Sequence, residues 1–277
     1  MSSLSPRDQV LFQAGNAPFS RVMAEYEPRL LPDRLQLPGD ADNNDLRHGT
    51  TIMALAFADG IVTLADRQVT TGSMVSNLEA EKILAVDDYT CVGTAGTAAL
   101  GMDLARLYQV ELEHYEKIEG RSLRFEGKAN RLSKMLRDNL AMLMQGLAVV
   151  PILTGYDEEM GPGRIFSYDG LGGRQEERNC FAIGSGSIFA IGSLKKMYQQ
   201  DMGEDDAVAA CLQAVYDAGQ QDVYTMGYDL TREIFPVVYV TTGAGNRRLT
   251  NEDVGTRMRA VIDGRMQQPD GPRAVPR

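Results

Sequence analysis

The 277-residue sequence predicts an α+β protein in which helices are layered on antiparallel sheets. Two observations carry this reading: β-prone runs joined by turn-length gaps are followed by helical runs in pairs, twice over, and no strand–helix–strand alternation of the kind that builds a parallel sheet occurs. A third sets a boundary. Pro6, Pro18, Pro28, Pro32 and Pro38 fall within residues 1–49, and the polar run Gly39-Asp-Ala-Asp-Asn-Asn-Asp45 follows them. Prolines so closely spaced stop a long helix or central strand, so 1–49 reads as an extended leader with a linker.

From Thr51 the pattern becomes dense. Thr51 to Ala58 is β-prone, Asp59-Gly60 is a hairpin turn signal, and Ile61 to Ala65 forms the second arm. Lys82 to Val86 and Thr90 to Gly93 make a second pair around Asp87-Asp88. Between Thr97 and Ile118 the residues Leu100, Leu104, Leu107, Tyr108 and Leu112 recur at helical spacing, and Gly120 closes the run. A second helix is expected over 127–145, with Leu132, Met135, Leu136, Leu140 and Leu143 on one face. Strands return at Leu147 to Thr154, Arg164 to Tyr168 and Asn179 to Ile183. Helices follow at 187–199 and 204–219, the latter with Glu204, Asp205 and Asp206 in its first turn, where the helix dipole favours acids. Phe235 to Thr242 is the last strong strand, Gly243 to Asn246 a turn, and 250–265 a final helix. The expected organisation is a leader over 1–49, one domain over 50–265 and a disordered tail over 266–277, which holds three prolines.

The composition, 43% hydrophobic and 24% charged, is that of a folded globular chain. A formal charge of −10 argues against binding to nucleic acid or anionic lipid, both of which need clustered Lys and Arg. Cys91, Cys180, Cys211, His48 and His114 are too few and too scattered for a disulfide framework or a metal site, so a reducing compartment, no metal and no cofactor are expected. Residues 1–25 contain no apolar core of a signal peptide, and the longest apolar stretch, Gly146 to Gly155, is too short to span a bilayer. These features predict a soluble, cytoplasmic protein.

Several clusters carry little chemistry on their own. Gly93-Thr-Ala-Gly96 and Gly184-Ser-Gly-Ser-Ile188 lack the spacing of phosphate-binding loops and read as tight turns. His114, among Glu111, Glu113 and Glu116, reads as an exposed or interface histidine, and Met135, Met142 and Met144 as core filling. His48-Gly-Thr-Thr51 is more informative, because a Gly-Thr step there ends a polar linker and opens a strand. Cut after Gly49, the chain would carry on Thr50 a free α-amine beside a hydroxyl, base and nucleophile in one residue. Such an amine has an ordinary pKa of about 7.7–8.0, so a cationic neighbour need lower it only slightly for it to act near pH 7. Lys82 and Asp66 could supply that surrounding. Read alone, Gly49-Thr50-Thr51 is better taken as an ordinary turn before a strand.

The wider sequence decides between these. His48-Gly-Thr-Thr-Ile52, Leu64-Ala-Asp-Arg67, Glu81-Lys82, Ala95-Gly-Thr-Ala98, Val110 to Gly120, Gly127 to Leu132, Met144-Gln-Gly-Leu147, Gly184-Ser-Gly-Ser187 and Asp229-Leu-Thr-Arg232 together resemble the 20S proteasome β subunit of the actinobacterial type, from His48 to about Pro236. The resemblance implies an N-terminal-nucleophile hydrolase fold, a four-layer sandwich of two antiparallel sheets between helix layers, made as a zymogen that removes its own leader autocatalytically between Gly49 and Thr50. It implies a threonine-type endopeptidase with Thr50 as nucleophile and Asp66 and Lys82 as its catalytic partners. Gly96 matches the position whose N–H faces the oxyanion, and Ser185 and Asp229 match residues that hydrogen-bond around the threonine amine. Val69, Ala80, Thr94, Ala98 and Met102 match the substrate pocket, a small and largely apolar lining that predicts cleavage after apolar or small residues. Thr70, Gly96 and Ala98 match positions whose backbone pairs with an extended substrate. The implied partners are other β subunits in heptameric rings, rings of α-type subunits, a ring-shaped ATPase acting through them, and unfolded protein substrates. The sequence departs from the pattern at Gln68, where relatives usually carry a second Arg, and at Arg232 and Glu233. A non-catalytic ring subunit and a small-molecule amidase remain the alternatives.

Overall fold

In the computed structural model, which describes residues 49–72, 74–140, 147–157 and 159–272, strands and helix pairs alternate as the sequence predicts. Strands β1 (Thr51–Phe57), β2 (Gly60–Ala65), β3 (Val69–Thr71), β4 (Met74–Asn77), β5 (Ile83–Asp87) and β6 (Thr90–Gly96) precede helices α1 (Ala98–Glu119) and α2 (Phe125–Asp138). Strands β7 (Val149–Asp157), β8 (Gly161–Tyr168), β9 (Arg174–Glu177) and β10 (Cys180–Gly184) precede α3 (Ser187–Met197) and α4 (Glu204–Gln221), and β11 (Val237–Thr242), β12 (Gly245–Arg248) and α5 (Asn251–Gln267) complete the described chain. Two five-stranded antiparallel sheets result, in the orders β10-β1-β2-β11-β12 and β5-β6-β7-β8-β9, with β3 and β4 as a separate hairpin.

After Thr51, the run Ile52-Met-Ala-Leu-Ala-Phe57 is apolar throughout rather than alternating, because both faces of its sheet are covered. Ile52 and Ala54 point into the space between the sheets, where they meet Ile83, Cys91, Ala95, Ile152 and Ile165. Met53 and Leu55 point the other way, into a core shared with Leu194 of α3, Leu212 and Val215 of α4, and Met258 and Ile262 of α5. On the far face of the second sheet Val92, Leu153 and Phe166 pack on Tyr108 and Leu112 of α1 and Leu132 and Leu136 of α2. Helices, sheet, sheet, helices is the four-layer order expected. Each fully buried Leu or Ile in these layers stabilises by about 1.5–3 kcal/mol relative to exposure.

The departures from expectation are local. The first hairpin turns at Ala58–Asp59, one residue before Asp59-Gly60, because Gly60 is already paired with both Phe57 and Thr242. A side chain at Gly60 would stand 2.1 Å from the Thr241 carbonyl. Gly93 to Gly96 is the end of β6 rather than a tight turn, whereas Ser185–Gly186 does turn, between β10 and α3. Helix α2 stops at Asp138, seven residues short of 145, where the Asn139 side chain donates to Met135 O at 2.8 Å. Met142, Leu143 and Met144 lie outside the described residues, as do residues 1–48, where a leader is expected, and the last five residues. The final helix continues to Gln267, past the boundary drawn at 265, and Arg265 holds the next turn by donating to Pro269 O at 3.2 Å. Strands β3, β4, β9 and β12 have no counterpart in the sequence reading. His114 is exposed on α1. Among the described residues no helix is long and apolar enough to cross a membrane.

Candidate active site

Strand β1 lies between β2 and β10 and runs antiparallel to both, so its beginning sits beside their ends. Thr51 pairs with Gly184, and Ile52 with Ala65. Thr50 just before β1, Asp66 just after β2 and Ser185 just after β10 are thereby gathered at one end of the first sheet. Lys82 arrives from the second sheet, one residue ahead of β5. Gly184 makes the approach possible: its φ is +95°, and a Cβ there would stand 1.8 Å from the Thr50 carbonyl oxygen.

Lys82 and Asp66 form an ion pair at 2.7 Å with 3% and 0% of their side chains exposed. Charges taken so far out of water are tolerated only when their hydrogen-bonding capacity is filled, and here it is. Asp66 accepts from the N–H groups of Thr51 (2.8 Å), Gln68 (3.1 Å) and Met226 (3.3 Å) as well as from Lys82. Lys82 Nζ also donates to Gln68 O at 2.5 Å and Gly49 O at 3.4 Å. Burial pulls the Lys82 ammonium below its ordinary pKa, against the attraction of the Asp66 carboxylate. The Thr50 hydroxyl donates to the same Gly49 carbonyl oxygen at 2.7 Å. Lys82 and the Thr50 hydroxyl therefore meet on one acceptor, the carbonyl of the Gly49–Thr50 peptide bond.

On the other side of Thr50 the Ser185 N–H donates to Thr50 O at 2.8 Å, and the Ser185 hydroxyl donates to Asp222 Oδ2 at 2.5 Å and lies 3.4 Å from Thr50 O. Thr225 Oγ1 donates to Asp222 Oδ2 at 2.6 Å, which leaves the Thr51 hydroxyl to donate to Thr225 at 2.6 Å while accepting from Gly186 N–H at 3.0 Å. Asp222 thus anchors a hydroxyl network around Thr50.

This corrects the expectation for Asp229. Its carboxylate is spent on the following turn, accepting from Thr231 N and Oγ1, from Arg232 N, and from Arg232 Nη1 at 2.7 Å. The Thr231 hydroxyl and then Arg232 hold it well below the usual carboxylate range, as an ion committed to that turn. Asp222 and Thr225 occupy the place assigned to it. Their signal was Asp222-Val-Tyr-Thr225 at the end of a helix, a carboxylate that accepts from the N–H two residues on (Tyr224, 3.2 Å) and the hydroxyl three on.

Gly96 ends β6 with a φ of +105°, and a Cβ there would lie 2.2 Å from Ala148 O, so both conformation and space require glycine. Of the residues expected to meet substrate, Val69 and Thr70 open β3 and Thr70 Oγ1 already accepts from Gly49 N–H at 3.2 Å. Ala80 is tied to Arg67 O through its N–H, and Ala98 and Met102 are half-buried in the first turns of α1. Thr94 is buried against Gly101, where an added Cβ would meet its hydroxyl at 2.4 Å.

A hydroxyl on the carbonyl of the preceding residue, a buried lysine of lowered proton affinity and an acid–hydroxyl network suit acyl transfer to Thr50. The chain matches the family described as "Proteasome subunit" over residues 46–228. It is 47% identical over 261 residues to a protein named "Proteasome subunit beta" from Streptomyces griseus, covering 94% of this chain and 93% of that one. Proteins of the same name from Acidothermus cellulolyticus (47%, 96% of this chain and 93% of the relative) and Streptosporangium roseum (46%, 96% and 94%) are similar over the same extent.

Proposed function

The chain belongs to the proteasome subunit family, and from that premise we propose that it is a threonine endopeptidase of the core particle, synthesised as a zymogen. The observation that carries the reading is the Thr50 hydroxyl on the Gly49 carbonyl beside Lys82. In self-cleavage the Thr50 oxygen adds to the Gly49 carbonyl carbon while its proton passes to the neutral Lys82 amine. The Gly49–Thr50 C–N bond then breaks, the nitrogen takes up a proton, and the leader is left as an ester on Thr50. Water hydrolyses that ester, giving a Gly49 carboxylate and a Thr50 with free amine and hydroxyl.

The mature residue repeats the chemistry on substrates. Its α-amine accepts the hydroxyl proton, Lys82 held by Asp66 keeps positive charge nearby and so favours the neutral amine, and the Gly96 N–H stabilises the oxyanion. Ser185, Asp222 and Thr225 hold the threonine main chain and supply a proton relay. An extended substrate lies along Thr70 and Ala98, with the residue before the cut in the pocket of Val69, Ala80, Thr94, Ala98 and Met102. The proposal extends to assembly in heptameric β rings between rings of α-type subunits, fed with unfolded proteins by a ring-shaped ATPase in the cytoplasm.

The test is peptidase activity of the full-length chain assembled with its α-type partner, on short fluorogenic peptides. The expected result is turnover that disappears in Thr50→Ala. Equal turnover in that variant rejects the threonine mechanism, and absence of turnover in both favours a non-catalytic ring subunit.

A further inference from the structure

Gln68 stands between Asp66 and β3 and touches the site with its main chain and its side chain alike. Its N–H donates to Asp66 Oδ2 at 3.1 Å and its carbonyl accepts from Lys82 Nζ at 2.5 Å, so the main chain of one residue holds both members of the buried ion pair. Its side chain, in a residue only 8% exposed, reaches to the opposite wall, where Nε2 donates to Val223 O at 3.1 Å. Val223 lies in the loop between Asp222 and Thr225. The residue is 81% exposed, so the loop is held here by its carbonyl and not by packing of the isopropyl group.

What that loop does makes the contact consequential. Asp222 binds the Ser185 hydroxyl, and Tyr224, next after Val223, presses its main chain on the scissile glycine. A Cβ built at Gly49 would lie 1.9 Å from Tyr224 Cβ and 2.7 Å from Tyr224 O. The loop therefore sets where the Gly49 carbonyl sits between the Thr50 hydroxyl and Lys82. We propose that Gln68 is a positioning residue for self-cleavage, its carboxamide clamping the Asp222–Thr225 loop so that the Gly49 carbonyl is held against the Thr50 hydroxyl and Lys82. This rests on the function proposed above.

The experiment follows conversion of the full-length chain to the form beginning at Thr50, by intact mass, after cell-free synthesis with the α-type partner. Three chains are compared: wild type, Gln68→Met, of similar length with no donor, and Gln68→Arg, which keeps N–H donors on a longer arm. Loss of one positioning hydrogen bond is expected to slow cutting in Gln68→Met about tenfold, with an unchanged thermal midpoint of a Thr50→Ala form carrying the same change. Gln68→Arg should recover most of the rate. Equal cutting by Gln68→Met and wild type, failure of Gln68→Arg to recover, or a fall in thermal midpoint parallel to the slowing would each overturn the proposal and leave the threonine mechanism standing. A wild-type chain that is never cut between Gly49 and Thr50 removes that mechanism, and this proposal with it.

Discussion

Lys82 is set apart from an ordinary lysine by burial, opposed by the carboxylates of Asp66 and, to a lesser extent, Asp222. Before the cut, the Thr50 nitrogen is an amide and cannot act as a base, so in the proposed self-cleavage the hydroxyl proton goes to the neutral amine of Lys82. Because burial lowers its pKa from 10.5, the rate of self-cleavage should rise with pH and level off below pH 10.5; a flat profile from pH 5 to 10 would remove Lys82 as the base. Lys82→Ala should reduce cutting and peptide turnover by orders of magnitude, as loss of a member of an interdependent unit does. Lys82→Arg should not restore them, since a guanidinium does not give up its proton at these pH values and its planar fork does not fit an ammonium site. The two aspartates divide sharply. Asp222→Asn should cost about a hundredfold in turnover, whereas Asp229→Asn, which disturbs only an exposed turn, should stay within about threefold of wild type; the reverse order, read from steady-state kinetics, would restore the sequence-based assignment. Thr50, Asp66 and Lys82 were legible through the motifs that carry the family resemblance, His48-Gly-Thr-Thr-Ile52, Leu64-Ala-Asp-Arg67 and Glu81-Lys82, and the structure brings the three together. Asp222 was not, since its position depends on where α4 ends and on which hydroxyls fold back to it, and Asp229 carried the more conspicuous local motif.

Elements were legible where burial writes a pattern and illegible where pairing alone decides. β1, β2, β6 and β11 are apolar because both their faces are covered, and α1, α4 and α5 show their periodicity or their acidic first turn. Strands β9 (Arg-Gln-Glu-Glu) and β12 (Gly-Asn-Arg-Arg) are polar edge strands, held by ladders to β8 and β11 that no local preference announces. The β3–β4 hairpin is likewise exposed over Met74 to Asn77. The junctions between elements carry the site, and Gly184 is the tightest of them. Gly184→Ala forces a side chain into a φ of +95° and onto the Thr50 carbonyl. It should destabilise by about 1–3 kcal/mol or more and slow self-cleavage together with the fall in thermal midpoint, whereas an alanine accommodated without loss of either would show that β1 and β10 can separate at this end.

At the scale of the molecule, the two antiparallel sheets face each other through aliphatic side chains and carry helices on their outer faces, and this much followed from the order of strands and helix pairs. What the layers achieve is the convergence of three strand ends from one sheet and a lysine from the other upon a single peptide bond. A nucleophile able to attack peptide bonds broadly is safe in a cell only when enclosed. Sedimentation should therefore find peptidase activity in a ring-sized assembly, and full activity in a monomer would contradict the proposed assembly. In the proposed mechanism the hydroxyl of Thr50 cuts the bond before it and so creates the active residue. Intact mass of the assembled protein, taken alongside peptide turnover, decides whether it does. The expected result is loss of residues 1–49, a new amino terminus at Thr50, and activity that appears in step with that loss. Full activity in protein that retains its leader would contradict it.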